Sequence, residues 1–126
     1  MPIRTLDDLR VFREAQAAAL AVSALFETGP LARDAYLKTQ MVSAAGSVGA
    51  QIAEGFGQLT DRHFAHYLAI SRGSCNEMQA HLHFAFVRGQ IDRGTYADLS
   101  ERYRSLGRQL TRLIQYLRES NRLQRG

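Results

Sequence analysis

The chain has 126 residues, of which 45% are hydrophobic, and it carries a formal net charge of +4. This length suits one domain over residues 1–126, and the hydrophobic fraction excludes an intrinsically disordered chain. A single cysteine excludes an internal disulfide framework, and the longest apolar run, residues 17–22, is too short to span a membrane. The N-terminal sequence lacks the apolar core of a signal peptide, so we expect a cytoplasmic protein without a membrane segment.

The positive charge is concentrated in the last third of the chain. From Arg88 onward there are nine arginines and four acidic residues, a net charge of +5, whereas the first 87 residues carry seven basic and eight acidic residues, a net charge of −1. An arginine-rich end indicates a polyanionic or acidic partner, or else a charged face that only contacts water. Both interpretations stay open on charge alone.

Four helices are predicted, over about 7–27, 33–54, 60–87 and 94–119. The prolines are confined to positions 2 and 30, and glycines separate long segments of helical pattern. Thr28-Gly29-Pro30 ends the first helix, Gly55 and Gly57 end the second, Thr60 caps the third, and the tail after Glu119 is expected to fray. Long helices joined by short loops favour an all-α, antiparallel, up-down-up-down four-helix bundle.

The first predicted helix is apolar on two sides. One face consists of Leu9, Phe12, Ala19, Leu20 and Phe26. The other face is rotated from the first by more than about 100° and consists of Val11, Ala15, Ala18, Val22 and Leu25. Because a helix with two apolar sides needs two partners, the second face is predicted to be the interface of a homo-oligomer.

The other three helices each show a different packing pattern. The second is rich in alanine, glycine and serine over residues 44–53, which lets a neighbouring backbone come close. The third has an apolar stripe through Phe64, Tyr67, Leu68, Ser71, Cys75, Met78, Leu82 and Phe86. The fourth has a seam in steps of three and four through Tyr96, Leu99, Tyr103, Leu106, Leu110, Leu113 and Leu117. Both patterns predict helices packed along their whole length, with Cys75 as a small buried hydrophobe.

No arrangement of residues predicts a catalytic centre. The third helix carries the pairs His63/His66 and Glu77/His81, but they lie about 16 Å apart along the helix, so one ion cannot bridge them within a monomer. No nucleophile elbow, phosphate loop or dinucleotide fingerprint is present. Glu54 is expected to be partly buried and to have a structural role. We therefore predict that the protein is not an enzyme and holds no cofactor and no metal.

Six arginines of the fourth helix share one face. At about 100° per residue they fall within about 120° of arc, away from the leucine seam, and should face solvent. This face is the predicted nucleic-acid contact and consists of Arg93, Arg104, Arg108, Arg112, Arg118 and Arg122. Arginine suits phosphate geometry, so RNA or DNA would be recognised mainly by its backbone. The alternative is a solvated face with no ligand.

Two short motifs resemble those of a known family. The first is Gln40-Met41, Ala44-Ala45, Ser47-Val48 and Ile52-Ala53-Glu54-Gly55, and the second is Phe64, Tyr67-Leu68, Ser71, Gly73-Ser74 and Glu77. They resemble the four-helix-bundle proteins encoded in intervening sequences of bacterial 23S ribosomal RNA genes, a family related to the accessory variability determinant of diversity-generating retroelements. The structural motif residues that this resemblance marks are Gln40, Ser47, Glu54, Gly55, Ser74 and Glu77.

The resemblance implies a bacterial bundle that assembles as a homopentamer without known catalytic activity. Its retroelement relatives bind nucleic acid and a reverse transcriptase, so RNA, DNA, a reverse transcriptase or a ribosomal component are the partners it suggests. The chain has Val42-Ser43 where the family has paired basic residues, and Gln51 where it has asparagine. The hypotheses are therefore a ribonucleoprotein or retroelement accessory factor, or a protein-only scaffold that binds no nucleic acid.

Overall fold

The computed structural model describes residues 3–125, and the side chains of residues 3–120. It contains four α-helices, α1 (Arg10–Ala24), α2 (Ala35–Phe56), α3 (Asp61–Val87) and α4 (Arg93–Arg125), and two short 3₁₀ turns, Leu6–Asp8 and Pro30–Arg33. The described residues form no β-strand. The predicted all-α four-helix bundle is confirmed. Over the same part of the chain, no helix combines the length and the apolar character that crossing a membrane requires.

Helices α2 and α3 run antiparallel, as two contacts along their length show. The hydroxyl of Ser71 donates to the carbonyl oxygen of Val48 at 2.7 Å. Further along α2, Gly55 adjoins Tyr67, which lies earlier on α3. Residue numbers thus rise on one helix as they fall on the other.

Helices α3 and α4 are antiparallel by the same criterion. Arg72 of α3 donates to the hydroxyl of Thr111 at 3.2 Å, whereas Phe86, near the end of α3, stacks on Tyr96 near the start of α4. Helix α1 packs against both α2 and α4. Each helix therefore has neighbours on two sides, which closes the core.

The first helix begins later than the sequence pattern predicts. The carboxylate of Asp8 accepts the backbone N–H groups of Arg4 and Thr5 at 2.8 and 2.9 Å, and these bonds hold the pKa of Asp8 below its usual value. Leu9 is extended, with φ −84° and ψ 116°, so α1 starts only at Arg10. An acidic residue that satisfies a turn looks in sequence like one that starts a helix.

The starts of α2 and α3 are capped by side chains, as expected for Asp and Thr at these positions. Asp34 accepts the N–H of Leu37 at 2.9 Å and the side-chain amide of Gln90 at 2.9 Å. The pKa of Asp34 is lowered, first by the bond from Leu37 and then by the bond from Gln90. Thr60 accepts the N–H of His63 at 3.2 Å. The bond to Gln90 also ties the start of α2 to the α3–α4 turn.

The fourth helix is longer than predicted, because it continues past Glu119 to Arg125. The expected fraying of this tail is not seen in the backbone up to that residue. No glycine or proline interrupts residues 119–125, so nothing local ends the helix there.

The face of α1 that was predicted to bind a second copy lies in the core of the monomer. Val11, Ala15, Ala18 and Val22 are buried, and Leu25 is half-buried. That assignment was wrong. A Cβ atom on Gly49 of α2 would lie 3.9 Å from the Cβ of Ala15, so the small side chains of this face let α1 pack closely on α2. Of the other apolar face, Leu9 and Phe26 are buried as well and only Leu20 is exposed, so hydrophobicity alone does not show which side of α1 stays open to solvent.

The predicted packing patterns of α3 and α4 are confirmed. From the two helices, the core takes Leu68, Ser71, Cys75, Met78, Leu82, Leu99, Tyr103, Leu106, Leu110 and Leu117. The other predicted members, Phe64, Tyr67, Phe86, Tyr96 and Leu113, are half-buried at its edge. Burial raises the pKa of the Cys75 thiol to about 12, which keeps it a neutral core side chain.

Candidate nucleic-acid interface

Arginines of α4 face solvent on the side away from the core. The side chains of Arg104 and Arg108 are 53% and 51% exposed, and Arg112 is exposed one turn further along. Arg93 and Arg118 are exposed as well, nearer the two ends of the helix. The side chain of Arg122 lies outside the described residues. The five described members therefore lie on the surface, as the helical spacing predicts.

One carboxylate holds two of these arginines. Glu101 accepts from Arg104 at 2.6 Å and from Arg108 at 2.8 Å. The bond from Arg108 and then the bond from Arg104 lower the pKa of Glu101. All three side chains are about half exposed, so water and salt screen these pairs. The pairs orient the two guanidinium groups and oppose an incoming anion.

A groove of about 460 Å³ runs between α3 and α4 beside these arginines. We call it the arginine groove, and its lining residues are Arg72, Asn76, Gln79, Arg104, Gly107, Arg108, Thr111 and Arg112. Arg72 donates to Thr111 at 3.2 Å, and Thr111 donates in turn to the carbonyl of Gly107 at 2.9 Å. Four guanidinium groups from two helices thus surround one groove, with amide and hydroxyl side chains between them.

The α3 side of the groove was missed by the sequence analysis. Arg72, Asn76 and Gln79 are spaced by four and three residues, which places them on one face of a helix. This spacing was visible in the sequence. Their position opposite Arg104 and Arg108 was not, because it depends on the register of α3 against α4.

A second, smaller depression lies toward the start of α3. It has a volume of about 290 Å³ and is lined by Arg62, Ala65, His66, Ala69 and Arg118. Arg118 therefore belongs with Arg62 and His66, and it lies apart from the three stepped arginines. The predicted face of six arginines is therefore not continuous. Three of them line the arginine groove and Arg118 lines a separate depression, in each case together with side chains of α3.

A groove of the opposite character lies between α1 and α4. It measures about 400 Å³ and is lined by Glu14, Ala17, Asp98, Glu101, Arg102, Ser105 and Leu106. The amide of Gln109 donates to Glu14 at 2.6 Å at this junction. The carboxylates on this side repel anions, so the part of the α4 surface that suits an anion lies on its α3 side.

The motif residues take different positions. Ser74 donates to Ser47 at 3.0 Å, which joins the two motifs across the α2–α3 contact. Gly55 is buried in the same contact, and Gln40 is half-buried. Glu54 and Glu77 are exposed, so the expectation that Glu54 is partly buried was wrong. Its neighbour Gly55 occupies the contact with α3, and the helical rotation turns Glu54 outward.

Metal-ligating side chains do not come together in the described part of the chain. There, no group of three or more His, Cys, Asp or Glu side chains lies close enough to hold a metal ion. The Nδ1 atom of His63 lies 2.8 Å from the hydroxyl of Thr60, which places this histidine at a helix cap. Among the described residues the arginine groove is therefore the arrangement with the clearest chemistry, because its four guanidinium groups are suited to an anion.

The fold and the groove define a class of protein, a small four-helix bundle with an arginine-lined groove on its surface. The chain belongs to the family described as 23S rRNA-intervening sequence protein, whose pattern matches residues 7–112. The family predicted from the two motifs is confirmed, whereas the link to retroelement determinants stays a prediction.

A solved structure supports the fold. The chain is similar to a protein of unknown function from the S23 ribosomal protein family of Bacteroides thetaiotaomicron, with 18% sequence identity and a TM-score of 0.74. The similarity covers 82% of this chain and 97% of that one. Comparison with curated proteins gave no match. Neither description, of the family or of the solved structure, names an enzymatic activity.

Proposed function

We propose that the protein binds the phosphate backbone of nucleic acid in the arginine groove and acts without catalysis. The observation that supports this most is the position of Arg72, which faces Arg104, Arg108 and Arg112 across one groove. A guanidinium group presents a planar fork of donors that matches two phosphate oxygens. Four such groups from two rigid helices form a preorganised surface for a chain of phosphates.

The exposure of these side chains supports a binding role over a structural one. Exposed ion pairs such as those of Glu101 contribute little to stability, so packing alone does not require a row of arginines here. The descriptions of the family and of the similar structure both refer to the ribosome or its RNA, which agrees with a polyanionic partner. RNA is therefore the first ligand to test, with DNA second.

The decisive experiment removes three groove arginines together. Binding of RNA and DNA strands of about 12 nucleotides is measured at about 50 and 200 mM salt for the wild type and for Arg104→Gln/Arg108→Gln/Arg112→Gln. Removing one arginine–phosphate interaction should reduce the slope of log affinity against log salt by about 0.7 for a single strand. We expect the variant to bind more weakly and with a slope smaller by about 2.

A matched variant controls for net charge. Arg4→Gln/Arg10→Gln/Arg33→Gln removes the same charge from positions outside the groove. This control variant should keep most of the wild-type affinity for nucleic acid and most of the wild-type slope of log affinity against log salt. Equal affinities and slopes for the groove variant and the wild type would exclude the groove and favour the protein-only scaffold.

We also propose that the protein is a homo-oligomer, with the exposed side of α1 around Leu20 in the interface. Leu20 of α1 is 75% exposed and Val42 of α2 is 46% exposed, so the two packed helices both present apolar side chains to solvent. The resemblance to the family supplies the number five, and a second copy of the chain is the occupant we propose. In a ring of subunits, each subunit would contribute its own arginine groove, so weak contacts with one nucleic-acid strand would add up through multivalency.

Light scattering at micromolar concentration tests the assembly. Leu20→Arg should shift the protein toward the monomer, because a charge buried in an apolar contact is unfavourable. Leu59→Arg is the control, since Leu59 is fully exposed in the α2–α3 turn, and it should leave the mass unchanged. A monomeric wild type would contradict the proposal. A reverse transcriptase or ribosomal component stays a hypothesis that rests on the resemblance.

A further inference from the structure

A group of planar side chains lies where α3 turns into α4. The rings of Phe86 and Tyr96 stack with centroids 4.6 Å apart and an angle of 3° between their planes. His83 meets Tyr96 edge-on at 6.1 Å, and the guanidinium carbon of Arg93 lies 5.4 Å from the centroid of the Phe86 ring. We call His83, Phe86, Arg93 and Tyr96 the stacking cluster.

The cluster has an anchored part and an exposed part. Phe86 and Tyr96 are half-buried against the core, whereas His83 and Arg93 are exposed. The cation–π contact holds the Arg93 guanidinium over a fixed ring, so the plane of that group is partly ordered before any ligand arrives. Two planar groups therefore face solvent on a rigid base.

The stacking cluster continues the line of the arginine groove. On α3, Phe86 follows the groove residue Gln79 by seven residues, a rotation of only about 20° and a rise of about 10 Å. On α4, Arg93 precedes the groove residue Arg104 by eleven residues, again about 20° away in rotation and about 16 Å along the axis. A strand whose phosphates follow the groove toward the α3–α4 turn would reach the cluster.

We propose that the stacking cluster binds an unpaired base of a nucleic-acid strand whose backbone lies in the arginine groove. This inference rests on the proposed function and adds the class of nucleic acid, which is single-stranded. Unpaired bases stack on aromatic rings and on guanidinium planes, and every base has such a face, so the contact does not depend on sequence. In a duplex the bases are already stacked, which leaves the cluster without a ligand.

The chemistry of the surface favours a base over an apolar protein segment. The exposed part of the stacking cluster consists of the charged guanidinium group of Arg93 and the polar ring of His83. The apolar rings of Phe86 and Tyr96 lie behind them. An apolar partner would have to bury the Arg93 charge, whereas a nucleotide brings a phosphate to pair with it.

The test compares two strands that differ only in their bases. One is a single strand of about 12 nucleotides, and the other is a strand of the same length made of abasic sites, with the same number of phosphates. The wild type should bind the strand with bases about tenfold more tightly, in line with base–aromatic stacking. Ribose and deoxyribose versions of both strands show whether RNA or DNA is preferred.

A double variant, His83→Ala/Arg93→Lys, removes the exposed planes and keeps the charge of Arg93. Both positions are exposed, so the fold should survive, which thermal unfolding checks. We expect its preference for bases over abasic sites to fall toward one, with the salt dependence unchanged. The variant Arg104→Gln/Arg108→Gln/Arg112→Gln should bind both strands more weakly and keep the preference for bases over abasic sites.

The outcomes separate this inference from the proposed function. Equal binding of the two strands by the wild type, or an unchanged preference in the double variant, would overturn the stacking site and leave backbone binding intact. A failure of the wild type to bind either strand would overturn both.

Discussion

A Cβ atom placed on Gly55 of α2 would lie 2.9 Å from the Cβ atom of Tyr67 on α3, closer than two such atoms can approach. The same added atom would lie 3.2 Å from the backbone oxygen of Phe64, which cannot move aside as a flexible side chain does. Gly55→Ala should therefore lower the free energy of unfolding by about 1–3 kcal/mol, the usual effect of overpacking a tight contact. Denaturant unfolding measures this change.

A second glycine of the same helix provides the control. An added Cβ atom on Gly46 meets nothing within 4 Å, and this residue is exposed. Gly46→Ala should raise the stability by about 1 kcal/mol, because alanine is the better helix former. Changes of the same sign in both variants would contradict the close approach at Gly55.

The two motifs lie on opposite sides of the α2–α3 contact, but the sequence did not show the role of each residue in it. Gly55 of the Ile-Ala-Glu-Gly run was predicted to end α2, whereas it lies inside the helix and lets α3 come close, and the helix ends one residue later at Phe56. The run gave no sign that Glu54 is exposed, because the orientation of one residue depends on where the neighbouring helix crosses. The leucine-rich pattern of α4 was sufficient to predict its buried face, since five of the seven predicted members are buried and the other two, Tyr96 and Leu113, are half-buried beside them.

The candidate site was only half predictable for a related reason. Helical spacing alone placed Arg104 and Arg108 on one exposed face. The sequence could not place Arg72 across from them, because this position depends on tertiary register. The interface prediction for α1 was wrong for the same reason. Val22 and Leu20 are both apolar, and the packing of α1 on α2 and α4 decides which of them is buried.

The hydroxyl of Tyr103 is buried in the bundle without a hydrogen-bond partner among the described residues, and the residue itself is 0% exposed. Burial raises the pKa of this hydroxyl, so it stays neutral. An unsatisfied buried hydroxyl costs about 1–3 kcal/mol, and phenylalanine keeps the shape of the ring without it. Tyr103→Phe should therefore be at least as stable as the wild type in denaturant unfolding.

The exposed Tyr116 is the matched control for that substitution. Its side chain is 67% exposed, so Tyr116→Phe should change the stability by no more than about 0.5 kcal/mol. A loss of more than about 1 kcal/mol in Tyr103→Phe would mean that the buried hydroxyl has a partner such as an ordered water.

Asp34, the N-cap of α2, should make the stability of the protein depend on pH in the acidic range. The bonds from Leu37 and Gln90 hold the pKa of Asp34 below its usual value in the folded protein. Stability from this carboxylate is therefore fully present above the unfolded pKa of about 4, and it is lost as the pH falls through the lower folded pKa. The midpoint of thermal unfolding for the wild type should exceed that of Asp34→Asn at neutral pH, and the difference should shrink below pH of about 4.

A graded variant separates the two donors. Gln90→Ala removes the side-chain bond and leaves the backbone bond from Leu37, so it should keep part of the pH-dependent difference. A difference between wild type and Asp34→Asn that stays constant from neutral to acid pH would contradict the lowered pKa of Asp34.

Glu101 should weaken nucleic-acid binding in the wild type, because it holds both Arg104 and Arg108 at the edge of the arginine groove. Glu101→Gln removes the negative charge and lets both guanidinium groups turn toward a phosphate. The affinity for a single strand should rise, and the dependence on salt should steepen, by about 0.7 in slope for one additional phosphate contact. Thermal unfolding should change little, since these ion pairs are about half exposed.

Asp98→Asn is the matched control, since it makes the same change of charge on the same helix. The partner of Asp98 is Arg102, at 3.6 Å, and neither residue lines the arginine groove. If the two variants show the same rise in affinity, the effect comes from net charge alone and Glu101 has no special place in the groove. If only Glu101→Gln binds more tightly, the contact between this carboxylate and its two arginines sets how strongly the groove binds its ligand.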